Sequence, residues 1–116
     1  PDGHESEWQT NYLAHWVLTK YLLPIMLATS KVCPQGTVRI INITSAGHFR
    51  APKPGINFKD LTNKDEAAWS RYGQSKLANI LHAKTLNKEY GPGSAIAKSN
   101  GAEIWTAALH PGLVQR

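Results

Sequence analysis

Two short apolar segments on either side of a long helical pattern constrain the fold of this chain most. Residues 37–43 are rich in β-branched side chains, and residues 104–109 are mostly apolar. Such segments are typical of strands that are buried on both faces of a parallel sheet. Between them, the apolar residues of the segment 65–90 recur at helical spacing. Two parallel strands joined by a helical crossover form one βαβ unit, so the sequence predicts an α/β fold.

A further helix is predicted ahead of this unit, over residues 5–27. Its apolar side chains recur every three or four residues, and Asp2 followed by Glu5 fits a capped start. Pro24 is expected to bend or loosen the last turn, because proline lacks the N–H that a helix interior needs. The remaining segments are predicted as a turn at 33–36, a long loop over 44–63 and a mobile loop over 94–101. The predicted order is therefore helix, strand, helix, strand.

Composition narrows the range of functions. The chain has 116 residues, with 13 Lys and Arg against 8 Asp and Glu. The basic residues are scattered and no nucleic-acid-binding motif accompanies them, so we predict a solvated surface and no nucleic-acid partner. No apolar run reaches the roughly 18 residues of a membrane span. The single cysteine, Cys33, forbids an internal disulfide and suits a reducing compartment such as the cytoplasm.

Tyr72 and Lys76 are the first candidates for chemistry. Their i, i+4 spacing puts both side chains on one face of the predicted helix. An unperturbed tyrosine ionises near pH 10, too high for a base at neutral pH, and a neighbouring ammonium favours the phenolate form. Such a pair is a candidate general acid/base for a hydroxyl or carbonyl group. By itself the spacing is more typical of an ordinary surface helix.

Three further positions give this pair a context. Ser45 follows the first predicted strand by two residues, and a His110-Pro111-Gly112 turn follows the second. Ligands of open parallel sheets bind beyond the carboxyl ends of the strands, where a serine hydroxyl can donate to a substrate oxygen. Asn11 lies within the first helix, where asparagine tends to find a backbone partner. Each position alone is explained by a plain turn or a structural hydrogen bond.

With these residues in this order, the chain resembles the short-chain dehydrogenase/reductase superfamily, and more narrowly its retinol-dehydrogenase-like and WW-domain-oxidoreductase-like members. The segments that carry the resemblance cover nearly the whole chain: 2–5, 10–15, 39–48, 58–61, 72–81 and 109–114. The Phe-Lys-Asp-Leu segment at 58–61 matches an insert of that branch. The resemblance implies the C-terminal part of a Rossmann-type doubly wound parallel sheet, the catalytic half of an NAD(P)-binding domain.

The resemblance also implies a role for each candidate residue. Tyr72 would be the general acid/base, and Lys76 would promote its ionisation and hold the nicotinamide ribose. Ser45 would position the substrate oxygen. Asn11 would bind a water through its backbone and extend a proton relay behind Lys76. The residues expected at the cofactor are Tyr72, Lys76, Pro111, Gly112 and Val114.

The implied activity is that of an NAD(P)-dependent oxidoreductase acting on a small-molecule alcohol or carbonyl, with NADP favoured by the branch. His48 and His110 match no catalytic position, and no metal ligand is predicted. Two alternatives stay open. One is an inactive fragment that serves at most as a binding module, and the other is a related epimerase or dehydratase, against which the insert at 58–61 counts.

Two departures from the family pattern matter, and the first of them motivates the alternative of an inactive fragment. The family's phosphate-binding glycine loop does not occur in the sequence, and Arg116 stands where the family often has threonine. Both ends resemble cuts through a longer protein, so we expect 1–116 to be one partial domain. Its uncovered sheet edges and helix faces predict a chain that is marginally stable or that associates into a homo-oligomer.

Overall fold

A computed structural model describes residues 3–53 and 55–112 of the chain. The elements in chain order are α1 (Ser6–Trp8), a π-helical segment (Gln9–Leu13), α2 (Ala14–Ser30), β1 (Arg39–Ile43), a 3-10 helix (Ala46–Arg50), α3 (Ala68–Tyr90), α4 (Ala95–Asn100) and β2 (Trp105–Leu109). The first three follow one another without a break and correspond to the first predicted helix. The predicted order of helix, strand, helix, strand is confirmed, with two short helices added to it.

The first helical stretch begins at a side-chain cap. Glu5 is the N-cap, and its Oε2 accepts a hydrogen bond from the backbone amide of Trp8 at 2.8 Å. Such a bond satisfies one of the amides that a helix start leaves without a partner. Glu5 also forms an ion pair with Arg71 of α3, with 3.4 Å between Oε1 and Nε. The contribution predicted for Asp2 lies outside the described residues.

The end of this stretch lies further along the chain than the sequence predicts. α2 contains Pro24 and continues to Ser30, so the expected end at residue 27 is wrong. Proline removes a single backbone donor, and the turns on either side of it keep theirs. The hydroxyl of Ser30 donates to the carbonyl of Leu27 at 2.8 Å, which helps to satisfy the last turn.

The two strands form a parallel pair in which Arg39 lies opposite Trp105 and Ile43 opposite Leu109. α3 connects the strands in sequence and packs against both. Ile41 and Ile43 of β1 nevertheless remain 50% and 48% exposed. The prediction of strands buried on both faces is therefore wrong for the described chain. The reason is that α3 covers one face of the sheet, and none of the elements between residues 3 and 112 closes the other.

The long loop ahead of α3 is ordered by side-chain hydrogen bonds. Gln74 of α3 is buried, and its Oε1 accepts from the backbone amide of Asn57 at 2.8 Å. Asn57 in turn donates from Nδ2 to Oδ1 of the buried Asn63 at 2.9 Å. Asn63 has a φ of 44°, a left-handed conformation that asparagine tolerates better than most residues. The loop is thus attached to the helix that follows it.

A short helix replaces the mobile loop that was predicted after α3. The Oγ of Ser94 accepts from the amide of Ala97 at 3.1 Å and caps the start of α4. Gly101 ends it in the left-handed conformation, with a φ of 74°. The prediction for 94–101 is therefore wrong, because a serine N-cap and a glycine C-cap suffice to hold a six-residue helix.

The apolar residues buried most deeply come from the helices and from the segment before β2: Trp8, Ala78, Ala83, Leu86, Ala102 and Ile104. Several polar side chains, among them Gln74, Ser75 and Asn79 of α3, are buried with them. Within residues 3–53 and 55–112, no helix has both the length and the apolar character needed to cross a membrane.

Candidate active site

Ser45 lies just beyond the carboxyl end of β1, as the N-cap of the 3-10 helix. Its Oγ accepts from the amide of Gly47 at 3.1 Å, and its carbonyl oxygen lies 2.6 Å from Nδ1 of His48. The serine oxygen is therefore fixed, while its hydrogen has no acceptor among the described residues. A hydroxyl held in this way can donate to a substrate oxygen beyond the strand end.

Two glycines bring Tyr72 of α3 against this turn. A Cβ on Gly47 would lie 2.7 Å from Cε1 of Tyr72 and 3.4 Å from Oγ of Ser45. A Cβ on Gly73 would lie 2.6 Å from the carbonyl oxygen of Gly47. Because such approaches are sterically forbidden, both close contacts depend on glycine. The tyrosine ring packs on bare backbone beside Ser45, and the structure brings these two predicted residues together.

Lys76 follows Tyr72 by one turn of α3. Its Nζ lies 5.5 Å from the centroid of the Tyr72 ring and 3.4 Å from the carbonyl oxygen of Ile43. At this distance a positive charge interacts favourably with the ring and with a negative charge on its oxygen. The hydroxyl of Thr44 donates to the carbonyl of Lys76 at 2.8 Å. This bond fixes the helix backbone against the end of β1.

Asn11 lies in the π-helical segment, behind the pair. Its Nδ2 donates to Oε2 of Glu7 at 2.7 Å and to Oγ of Ser75 at 3.1 Å. Its carbonyl oxygen accepts from Nδ2 of Asn79 at 3.0 Å. π-helical turns are rare and occur often at functional sites. The structure thus places Asn11 in contact with Ser75 and Asn79 of α3, the helix that carries the tyrosine.

An open cleft of about 630 Å³ lies in front of the tyrosine. Its lining residues are Glu7, Ser45, Ala46, Gly47, Arg50, Ala68, Trp69 and Tyr72. The rings of Trp69 and Tyr72 meet edge to face, with 5.7 Å between their centroids. Ser45 and Tyr72 therefore line the same cleft as the aromatic ring of Trp69, an arrangement that suits a small organic molecule.

The predicted cofactor-binding turn follows β2. Because β1 and β2 are parallel and Ile43 pairs with Leu109, the turn at Pro111 and Gly112 leaves the sheet at the same edge as Ser45. Gly112 has a φ of 86°, and a Cβ there would meet nothing within 4 Å among residues 3–53 and 55–112. Val114, the remaining residue predicted here, lies outside the described part of the chain.

Comparison with curated proteins identifies the family. The chain is 54% identical over 114 residues to the short-chain dehydrogenase/reductase drtF of Aspergillus calidoustus, a match that covers 96% of the chain and 35% of that relative. The chain belongs to the short-chain dehydrogenase/reductase superfamily. It is also 38% identical to an uncharacterized oxidoreductase of Schizosaccharomyces pombe, over 98% of the chain and 32% of the relative. A short-chain dehydrogenase of Brassica napus, TIC 32 A, is 34% identical over 97% of the chain and 33% of its own length.

The superfamily resemblance and the α/β class predicted from the sequence are thereby confirmed. The chain spans about a third of the length of the curated relatives that it matches. No protein-family profile and no solved structure matches it.

Sequence reasoning missed several residues that shape this candidate site. Gly47 and Gly73 flank the tyrosine, and nothing in their spacing indicates the helix-to-turn contact that they permit. Asn79 lies three residues after Lys76, which puts it on the same face of α3, and this spacing is a signal that could have found it. His48 contacts the carbonyl of Ser45 and the ring of Phe49, with 4.0 Å between the two rings.

Two ionisable groups lie behind the site on neighbouring elements. Burial raises the pKa of Tyr12 above its ordinary value, and burial lowers the pKa of His82, because both groups lose hydration of their charged forms. Their rings meet edge to face, with 6.0 Å between the centroids. Burial therefore favours the neutral form of both groups.

Proposed function

We propose that the protein is an NAD(P)-dependent oxidoreductase that interconverts an alcohol and a carbonyl, with Tyr72 as the general acid/base. The observation that carries this proposal is the packing of the Tyr72 ring on Gly47 beside Ser45, with Nζ of Lys76 5.5 Å from the ring centroid. A phenol and a fixed hydroxyl thus line an open cleft, and an ammonium lies beside the phenol ring. The names of the relatives, all dehydrogenases or oxidoreductases, support the same class of reaction.

The proton chemistry follows from these side chains. In alcohol oxidation, the substrate hydroxyl gives its proton to the phenolate oxygen of Tyr72, and in carbonyl reduction the phenol returns it. Ser45 holds the substrate oxygen through its hydroxyl hydrogen. Lys76 stabilises negative charge on the tyrosine oxygen. Asn11 contacts α3 from behind and supports its position.

A nicotinamide cofactor would supply or accept the hydride. Lys76 and Tyr72 offer groups that fit its ribose hydroxyls, and the turn at Gly112 leaves the sheet at the same edge as Ser45. Pro111 and Gly112 would lie against the ring, as the family resemblance implies. The retinol-dehydrogenase-like features favour NADP over NAD.

The cleft suggests the general nature of the substrate. Apolar and small residues line most of it, with Trp69 as the largest, while Glu7 and Arg50 supply charge. We expect a small molecule with an apolar or aromatic body that points its hydroxyl or carbonyl toward Ser45 and Tyr72.

The test is a Tyr72→Phe substitution in the full-length protein, assayed with NADH and NADPH against a panel of apolar aldehydes and ketones. The variant should lose at least about 100-fold in kcat, the lower range for a general acid/base, and should still bind cofactor. Tyr21→Phe is the matched control, because Tyr21 is an exposed tyrosine of α2 outside the cleft. Turnover of Tyr72→Phe within a few-fold of wild type would show that the assigned role is wrong.

The second candidate is a binding module without catalytic activity. The observation that favours it is the lack of a glycine-rich phosphate loop in the 116 residues. Titration of this chain with NADH and NADPH, followed by nicotinamide fluorescence, separates the two functions. Saturable binding would contradict the inactive fragment, and binding by the full-length protein alone would support it for this chain.

A further inference from the structure

Asn79 lies nearly one turn beyond Lys76 on α3 and takes no part in the proton chemistry above. Its side chain is 3% exposed, and its Nδ2 donates to two backbone carbonyls, that of Asn11 at 3.0 Å and that of Ile43 at 3.2 Å. A carboxamide nitrogen carries two N–H donors, so both are used. We propose that Asn79 is a positioning residue that holds Lys76 at Tyr72, an inference that rests on the function proposed for that pair.

The carbonyl of Ile43 is the point that the asparagine and the lysine share. The next amide along the strand, that of Thr44, donates to Leu109 of β2 at 2.9 Å. Because bonding directions alternate along a parallel strand, the carbonyl of Ile43 points away from β2 and toward side-chain donors. Nζ of Lys76 reaches this oxygen at 3.4 Å and Nδ2 of Asn79 reaches it at 3.2 Å.

The second carbonyl belongs to the π-helical segment. The oxygen of Asn11 accepts from Asn79 and lies 3.1 Å from Nδ1 of His15. The two bonds of one carboxamide therefore join the first helical stretch to the end of β1, and they do so on the face of α3 that carries Lys76. Since the two carbonyls come from segments far apart in sequence, Asn79 fixes the distance between them.

The lysine depends on this arrangement. Its contact with Ile43 is long for a hydrogen bond, and lysine has a flexible chain that loses much rotamer freedom when it is held in place. If Ile43 moves, the ammonium loses that contact and turns to solvent. The ionisable groups that face this cluster are Glu7, His15, Tyr72, Lys76 and His82, the last at 3.5 Å from Nδ2 of Asn42.

The first test does not require catalytic activity. Lysines of the full-length protein are labelled with trace acetic anhydride, and the rate at Lys76 is compared with that at Lys84, an exposed lysine of α3. Asn79→Ala should raise the ratio of the labelling rate at Lys76 to that at Lys84 about two- to tenfold, the range expected when one hydrogen bond is lost. Asn42→Ala is the matched control. Asn42 is also buried, and its Nδ2 donates to the backbone carbonyl of Asn79 at 3.1 Å, but within the described residues its side chain bonds neither the carbonyl of Asn11 nor that of Ile43, so its ratio should stay unchanged.

The second test uses turnover. In Asn79→Ala, kcat for alcohol oxidation should fall about tenfold with little change in KM, because the ammonium is less well placed in the transition state. Its pH profile should move to higher pH, since a more distant ammonium favours the phenolate less. Asn42→Ala should keep the wild-type profile, although it loses a comparable amount of thermal stability.

Equal effects of the two substitutions on labelling or on the pH profile would overturn the proposal, because a general loss of packing would then explain both. If Asn79→Ala does not fold, Asn79→Ser, which keeps one donor, takes its place. Failure of both to fold would assign Asn79 a structural role and also overturn the proposal. A wild-type protein without turnover would refute the proposed function, whereas the labelling ratio would still decide the role of Asn79.

Discussion

Replacement of Gly47 by alanine is expected to damage catalysis much more than folding. The new Cβ would lie 2.7 Å from Cε1 and 3.0 Å from Cδ1 of Tyr72. Gly47 does not have a positive φ, so the backbone accepts alanine and the ring must yield. To regain an ordinary contact of 3.4 Å the ring must move by roughly 0.7 Å. A displacement of about 1 Å at a reacting group costs on the order of 100-fold in rate, so we expect kcat to fall about 10- to 100-fold, or roughly 1.4–2.7 kcal/mol.

The assay compares kcat and thermal unfolding of the full-length protein for Gly47→Ala and Gly73→Ala. A Cβ on Gly73 would meet backbone atoms, at 2.6 Å from the oxygen of Gly47 and 2.7 Å from the amide nitrogen of Ala51. Backbone cannot move aside as a ring can, so Gly73→Ala should lose at least about 1–3 kcal/mol of stability. A Gly47→Ala variant with kcat within twofold of wild type would refute the packing argument for Tyr72.

Three further predictions concern stability and association. Glu5→Ala should lower the free energy of unfolding by about 0.5–2 kcal/mol in denaturant titration, because the bond to the amide of Trp8 is lost; an unchanged midpoint would exclude Glu5 as the cap. Burial lowers the pKa of His82, so as the pH falls the unfolded state binds a proton before the folded state does. The free energy of unfolding should therefore decrease as the pH falls through about 6.5, and it should level off below the folded-state pKa. His82→Leu should remove that component, and an identical acid slope would contradict it. The exposed side chains of Ile41 and Leu109 should make the 116-residue chain associate in sedimentation experiments; Ile41→Lys should reduce association, and a monomer with a sharp cooperative melt would speak against this.

The sequence predicts the elements well where a periodic pattern is long. α3 was expected over 65–90 and occurs at Ala68–Tyr90, because its apolar spacing spans several turns. α4 was missed because a six-residue helix has no periodicity to detect and depends on the caps Ser94 and Gly101. Strand burial was misjudged for a different reason. Apolar side chains show what a strand can bury, but the cover must come from other elements.

For the candidate site, too, one part could be predicted from the sequence and another could not. Ser45, Tyr72 and Lys76 were predicted from their order along the chain, and the structure gathers them at the end of β1. Their supporting contacts could not be derived in this way. The fit of Gly47 under the tyrosine ring depends on how closely a helix approaches a turn. The two hydrogen bonds of the Asn79 side chain depend on two carbonyls that only the folded chain brings together.

The bond between Gln74 and the amide of Asn57 bears on how this region can diverge. The segment from Ala51 to Ala67 is attached to α3 beside the tyrosine, so an insertion or deletion elsewhere in it would be absorbed at the surface. Residues can then be gained, lost or exchanged near Lys59 without displacing Tyr72, because the attachment isolates α3 from changes in loop length. Arg50 and Ala68, the residues on either side of this segment, line the cleft, which makes the segment a place where substrate preference can change while the proposed proton-transfer residues are kept.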